Sequence, residues 1–236
     1  MQVYVGTSGW MYDWNPDGLD WYVSRSGLNA VELNMSFYRF PYQSQILKWR
    51  KTGARLSWSI KVHRSITHYY KLSEKSLSIW DRFYNRFEPM LDLIDFFLFQ
   101  FPPSLGPSNE FMEKLRVFLK YAELDRRKIA LEFRHVSWFD FKKARSIADL
   151  GVVFVSVDSP RIQGFILSCS DIIYLRLHGR EAWYSYNYSL NELEAIAQRI
   201  KLLNPKNVHI FFNNNHDMLH NAREMKELLA EHATYI

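Results

Sequence analysis

Several side chains in this chain combine proton-transfer chemistry with the capacity to hold an anion. His178 can exchange a proton near neutral pH. Glu132 or Asp158 could orient it, or act as a base whose pKa burial has raised. Arg134, Arg176 and Arg180 suit a phosphate or carboxylate, because the planar guanidinium offers paired donors in a forked geometry. Their spacing adds to the types. Residues 172–180 read IIYLRLHGR, and alternate residues of a strand face the same way. Arg176 and His178 therefore share one face, and Leu175 and Leu177 the other. Leucines on one face suit covering helices, and a cation with an imidazole on the other suits a ligand at the mouth of a barrel.

Other segments repeat this arrangement. Alternation or continuous apolar runs predict strands over 2–5, 30–34, 56–62, 95–100, 129–134, 152–158 and 208–213 besides the one at 172. Their ends carry Glu32 and Asn34, Lys61, Gln100, Glu132 and Arg134, Asp158, and Asn213 followed by Asn214. Together with Arg176 and His178 these would form a ring of polar groups, walled by Trp10, Tyr38 and Trp138. A buried ring of this kind needs compensation. Mutual pairing, for instance Glu132 with Arg176 or Lys61 with Glu32, is the purely structural reading of the same residues. A phosphate suits the loops after the last two strands, HGR and NNN, the second of which leads into a helix.

Helical signals fill the gaps. They fall at 19–23, 44–52, 111–122 and 140–150, in a run from Trp80 to Ile94, in a capping box formed by Ser189 and Glu192, and in a closing helix through Ala222, Met225 and Leu229. Residues 158–172 leave too little room for a clear helix. The loop SITHYYKLS reads as polar and aromatic. Alternation of about eight strands with helices, and no break in composition, predicts one domain over 1–236. The fold class expected is α/β, a single TIM-type (β/α)8 barrel or a close variant.

Composition narrows the function. Hydrophobic residues make up 47% and charged residues 23%, which excludes a disordered chain. Lys and Arg total 30 against 25 Asp and Glu, a formal +5. That balance permits a small anionic or phosphorylated partner, or nucleic acid. The aromatic share of 17% fits a heavily aromatic core or rings available for stacking. The single cysteine, Cys169, excludes a disulfide framework and a cysteine-based metal site. No apolar run reaches membrane-spanning length, and the chain enters its first strand without a leader, so a cytoplasmic protein is expected. GTSGW is neither a dinucleotide fingerprint nor a nucleophile elbow, and no Walker or HExxH pattern occurs. No metal site is expected from histidine spacing, although carboxylates together with a phosphate could hold one magnesium or manganese ion.

The ordered segments GTSGW, VELNMSFYRFP, ITH at 66–68, FQFPPS, LEFRHVSW, VDSP, YLRLHGR and FFNNN, with Asn221 and Ala222 beyond, resemble the YecE-like family, also called domain of unknown function 72. The resemblance runs over essentially the whole chain. It implies a barrel of alternating strands and helices without an established activity. His216, Asp217, Met218 and Leu219 depart from the small residues expected after FFNNN. The reading that follows is an enzyme acting on a small anionic, phosphorylated substrate by general acid–base chemistry at the barrel mouth. Phosphodiester cleavage or nucleic-acid binding like that of endonuclease IV-like enzymes, and non-catalytic anion binding, are the alternatives.

Overall fold

The computed structural model describes residues 1–230 of the chain. The order begins β1 (Gln2–Ser8), α1 (Gly18–Arg25), β2 (Ala30–Leu33), α2 (Gln43–Thr52), β3 (Ser57–Lys61) and α3 (Leu77–Arg86). It continues β4 (Ile94–Gln100), α4 (Asn109–Tyr121), β5 (Ile129–Glu132), α5 (Phe141–Ala148), β6 (Val153–Phe154), β7 (Ser156–Ser159) and β8 (Ile162–Phe165). It closes with β9 (Ile172–Leu177), α6 (Leu190–Leu203), β10 (Asn207–Phe212) and α7 (Met218–Ala230). Local signals start the helices. Ser108 accepts from the Phe111 amide and Asp140 from the Lys143 amide, each satisfying a donor that the first helical turn leaves open. The capping box of Ser189 and Glu192 forms as expected, and Asn204 ends that helix in the left-handed region.

Two expectations change. The apolar spacing from Trp80 to Ile94 is not one helix: α3 stops at Arg86, a 3-10 turn containing Pro89 follows, and Ile94 opens β4. Proline has no amide to donate and resists the helix interior. Phe87, Met90 and Ile94 stay buried nonetheless, so the spacing recorded burial, not helical continuity. The strand expected over 152–158 is two. β6 pairs with β5, whereas β7 pairs with β9 and turns at Pro160 into the antiparallel β8. A hairpin thus occupies the connection where no helix was evident.

The described chain forms two compact units. The first comprises Met1–Glu32, Arg55–Ser57 and the chain from Val155 onward. In it β1 pairs in parallel with β2 and β10, β10 with β9, and β9 with β7. These strands run the same way, so their C-terminal ends, and the polar residues on them, share one edge. Val5, Ile173, Leu175, Val208 and Ile210 are buried along them, with Leu193, Ile196 and Ile200 of α6 and Ala222 and Met225 of α7.

The second unit comprises Leu33–Ala54 and Trp58–Phe154. There β3, β4, β5 and β6 pair in parallel in that order, with α2 to α5 between them in sequence. β4 is apolar on both faces and almost wholly buried, as a covered parallel strand must be. Trp80 is the hub of this core. Its ring meets Phe97 and Phe99 at 5.3 Å and Phe118 at 5.7 Å in edge and tilted contacts. Full burial of rings this size stabilises by about 1.5–3 kcal/mol each, which accounts for much of the high aromatic content.

Candidate functional site

In the first unit the register sets the site. Ser8 at the end of β1 lies opposite Glu32 on β2. Tyr174, Arg176 and His178 follow one another on one face of the β9 segment by the two-residue period. Glu32 accepts from Ser8 Oγ at 2.8 Å, Tyr174 Oη at 2.7 Å and Arg176 Nη2 at 2.5 Å. Arg176 Nη2 also lies 3.3 Å from Ser8 Oγ, and its Nη1 is 3.5 Å from His178 Nε2. Glu32, Arg176 and His178 are fully buried. A carboxylate and a guanidinium out of water are tolerated only when their lone pairs and protons find partners, and Ser8 and Tyr174 supply two of them. Burial, and secondarily the charge of Glu32, push the Tyr12 hydroxyl above its ordinary pKa.

A second cluster follows in the same unit. Asp158 Oδ2 accepts from Arg180 Nε and Tyr188 Oη, both at 2.9 Å, and Oδ1 from the Gly164 amide at 2.8 Å. Arg180 Nη1 reaches Glu192 Oε1 at 2.9 Å, where Tyr186 Oη also donates at 2.7 Å. Burial pulls the Arg180 guanidinium down, but Asp158 and Glu192 outweigh it and hold the group above its ordinary value. Burial first, then Glu192, push Tyr186 up to about 12. Burial and the Asp158 charge push Tyr188 up further still. Asn214 and Asn221 are fully buried; Asn214 Nδ2 donates to Tyr186 O at 2.7 Å and Asn221 Oδ1 at 2.8 Å.

The loop between His178 and Tyr188 folds back tightly. The Tyr184 amide donates to His178 O at 2.8 Å, and the rings of Trp183 and Tyr184 stand 5.5 and 5.6 Å from the imidazole. Gly179 makes this possible. Its φ is +99°, and a Cβ there would lie 2.5 Å from Ala182 O and 2.6 Å from Tyr186 Cβ. Only glycine has both the backbone freedom and the missing atom.

In the second unit Lys61 ends β3 and Glu132 ends β5, and Arg134 follows two residues on. Arg134 Nε and Glu132 Oε1 form a buried ion pair at 2.7 Å. Lys61 is 9% exposed, with Nζ 4.5 Å from the centre of the Phe37 ring. A π-helical turn over Ser65–Tyr69, in what read as a loop, presents His68, whose ring meets Phe37 edge-on at 4.9 Å. Burial lowers the His68 pKa to about 4, helped by the positive charges of Lys61 and Arg134 and opposed by Glu132. At neutral pH this imidazole is uncharged and lies in a net positive field.

The proposed site residues are thus distributed over both units. Glu32, Asp158, Arg176, His178, Arg180, Asn213, Asn214 and Trp10 belong to the first, and Asn34, Tyr38, Lys61, Glu132, Arg134 and Trp138 to the second. Arg176 pairs with Glu32, and Arg134 with Glu132. Trp138 is buried, stacked on Phe133 at 4.1 Å with its indole N–H donating to Leu105 O. Trp10 is buried, and its carbonyl accepts from Asn15 Nδ2. Asn34 caps a 3-10 turn and its Oδ1 is buried without a hydrogen-bond partner. The Asn213 amide donates to Leu177 O. Tyr38 is 64% exposed, under the Arg64 guanidinium.

Sequence reasoning did not assign Ser8, Tyr174, Tyr188, Glu192 or His68 to the site, although Glu192 stood in a capping box and His68 in the ITH motif. Tyr174 was findable, because the period that joins Arg176 to His178 also joins Tyr174 to Arg176. Among the described residues no group of three or more His, Cys, Asp or Glu could hold a metal ion. No described helix is long and apolar enough to cross a membrane.

A family model described as protein of unknown function DUF72 matches residues 4–235. A DUF72 family protein from Thermotoga maritima MSB8 superposes with a TM-score of 0.84 at 28% identity, covering 97% of this chain and 99% of that one. One from Enterococcus faecalis V583 gives 0.82 at 20% identity, with 97% and 95% covered. D-psicose 3-epimerase from Clostridium cellulolyticum H10 gives 0.53 at 11% identity over 97% of each chain, a likeness of fold alone. The expectation of an α/β fold of the TIM-type barrel kind, or a close variant, holds on these likenesses. No curated protein matches the sequence.

Proposed function

The chain belongs to the DUF72 family of proteins of unknown function, and from that premise we propose that it is an enzyme acting on a small anionic, phosphorylated substrate by general acid–base chemistry. The observation that carries the reading is the cluster at the strand ends of the second unit. Arg134 pairs with Glu132 there, and the positive charges of Lys61 and Arg134 both help to hold His68 uncharged. A phosphate dianion suits such a neighbourhood. Lys61 holds the anion, the neutral His68 donates a hydrogen bond to it, and Glu132, oriented by Arg134, takes or returns a proton.

In the first unit His178 is the proton-handling group. Arg176 and Arg180 are already engaged by Glu32, Asp158 and Glu192. They act by shaping their surroundings and not as the principal anion holders. Asp158, which accepts from Arg180, Tyr188 and the Gly164 amide, fixes the loop beside His178.

The test is a thermal-shift titration with inorganic phosphate, followed by a screen of phosphorylated metabolites. Wild-type protein gains stability with phosphate and Lys61→Met does not. An equal gain in both removes the anion site. A second reading, phosphodiester cleavage or nucleic-acid binding, draws support from Tyr38 and Tyr69, 64% and 63% exposed, with the Arg64 guanidinium 5.8 and 5.5 Å from their ring centres. Exposed rings with a cation between them suit stacked bases. Binding of a labelled single strand that falls steeply with salt supports this reading, and a flat response removes it.

A further inference from the structure

We infer that the cleft between α2 and α3 is a phosphodiester site for a single nucleic-acid strand, held by Arg82 and Arg86 while its bases stack on Tyr38 and Tyr69. The inference deepens the second reading above and rests on it. The cleft is a cavity of about 360 Å3 lined by Phe40, Gln43, Arg82, Asn85 and Arg86. Gln43 opens α2, and Arg82, Asn85 and Arg86 stand at the helical spacing that puts side chains on one face of α3. Like charges four residues apart on a helix repel each other, and an anion between them relieves that repulsion. The guanidiniums and the two carboxamides offer several N–H donors, and the unesterified oxygens of a phosphodiester accept them.

Three surface arginines of the same unit are matched by carboxylates: Arg50 by Asp92, Arg116 by Glu113 and Arg127 by Asp125. Among the described residues Arg64, Arg82 and Arg86 form no ion pair. The acidic residue of α3, Asp81, accepts from Tyr121 Oη at 2.5 Å and so faces α4. Arg82 and Arg86 keep their charge on the side of α2. His63 joins this cleft to the stacking rings. Its imidazole meets Phe40 edge-on at 4.9 Å, and its Nε2 lies 3.3 Å from Tyr38 O. Arg64 follows in sequence, its guanidinium 5.8 and 5.5 Å from the centres of the exposed Tyr38 and Tyr69 rings. Rings, cation and cleft thus lie along one stretch of the second unit's surface.

A strand suits this surface better than a small anion does. A lone phosphate ion would gain little from two exposed guanidiniums, since water and salt screen them. A strand engages the cleft and the rings at once, and each contact raises the effective concentration of the other. Stacking on a ring tolerates any base, whereas a duplex keeps its base faces hidden within its own stack. The ligand is therefore a single strand, read by its backbone and its ring faces and not by its sequence.

Fluorescence anisotropy of a labelled oligothymidylate, titrated with full-length protein over a series of salt concentrations, tests the site. Wild-type protein binds, and log affinity falls linearly with log salt. Arg82→Gln with Arg86→Gln weakens binding roughly 10- to 100-fold at low salt and reduces the slope by about 1.4, two contacts at about 0.7 each. Tyr38→Ser with Tyr69→Ser weakens binding and leaves the slope as it is in the wild type. Lys120→Gln with Lys142→Gln, which removes two exposed charges on α4 and α5 of the same unit, changes neither. All three pairs exchange exposed side chains, and an unchanged melting temperature checks that each variant folds. Wild-type affinity and slope in the arginine pair overturn the inference. So does an equal loss in the lysine pair, which would mean general attraction to positive charge, and so does full affinity in the tyrosine pair. In each of these cases strand binding by the wild type leaves the second reading standing. Absence of binding by the wild type at low salt sinks that reading and this inference together, and the phosphate titration still reads the Lys61 site separately.

Discussion

At the strand ends of the first unit Glu32 receives donors from three residues, and Arg176 is spent on Glu32, Ser8 and His178. At those of the second, Arg134 is paired with Glu132, and its charge and that of Lys61 act on an imidazole, His68, whose pKa burial lowers to about 4 with their help. Both arrangements bury charge, but they balance it differently. The first is closed around Glu32, which meets Arg176 and accepts from the hydroxyls of Ser8 and Tyr174. In the second, Arg134 is paired with Glu132, and the charges of Lys61 and Arg134 both act on the imidazole of His68. The comparison teaches that a buried arginine at a strand end is not by itself a ligand contact; what matters is whether its own carboxylate has already satisfied it.

The largest effect that could break this comparison is on stability. Arg176→Met leaves Glu32 buried without its cation, and urea unfolding should show a loss of about 3–5 kcal/mol. The pair with Glu32→Gln should recover much of it. A single-variant loss under about 1 kcal/mol would mean that the first unit is not closed as described.

Next comes binding. Lys61→Met should weaken phosphate by roughly 10- to 100-fold, the worth of a hydrogen bond to a charged group at about 1.5–3 kcal/mol, as calorimetric titration would measure. Its cost in stability should be smaller than that of Arg176→Met. A reversed order would exchange the roles assigned to the two units.

The third test is pH. His209, in the first unit, is stacked on Tyr4 at 4.5 Å, and burial lowers its pKa to about 3. His68 is lowered to about 4. Below the unfolded value of about 6.5 the unfolded chain binds protons that these folded imidazoles refuse. Stability is therefore complete above about pH 6.5 and falls as pH drops toward the folded values. The slope is at most about 1.4 kcal/mol per pH unit for each histidine. His209, being nearly inaccessible, approaches that limit, and half-buried His68 falls short of it. His209→Gln should flatten most of the acid slope in denaturation at a series of pH values. Phosphate should steepen the slope of the wild type, because the ligand adds stability only while its own charge and site persist.

The smallest expected effect is local. Ser189→Ala removes one half of the α6 capping box and should cost about 1 kcal/mol. A much larger loss would show that the box is needed to hold Glu192 against Arg180 and Tyr186, tying that helix end to the Asp158 cluster.

Much of the fold was legible because burial on a covered sheet leaves a two-residue or continuous apolar pattern, as β4 and β9 show. The hairpin of β7 and β8 was not, since a strand that changes partners at Val155 keeps an unbroken apolar sequence. The helical reading through Ile94 failed for a related reason: Phe87 and Met90 are buried from a turn. Polar residues at strand ends are legible by type and position, whereas a contact such as that of Arg176 with Glu32 is not. It depends on register, and register is a property of pairing between strands distant in sequence. His68 stood only in the ITH motif, with no position assigned, because a π-helical turn has no simple period to read.

The cramped backbone at Gly179 bears on how this protein can vary. A single methyl group at that position would be driven into the carbonyl of Ala182 and the side chain of Tyr186, so it would act as a wedge under residues 179–188. A saturation library should find the position closed to every alternative, even though it contributes no functional group. Loss of function there would report a displaced loop, and mistaking it for lost chemistry would misplace the reacting atoms.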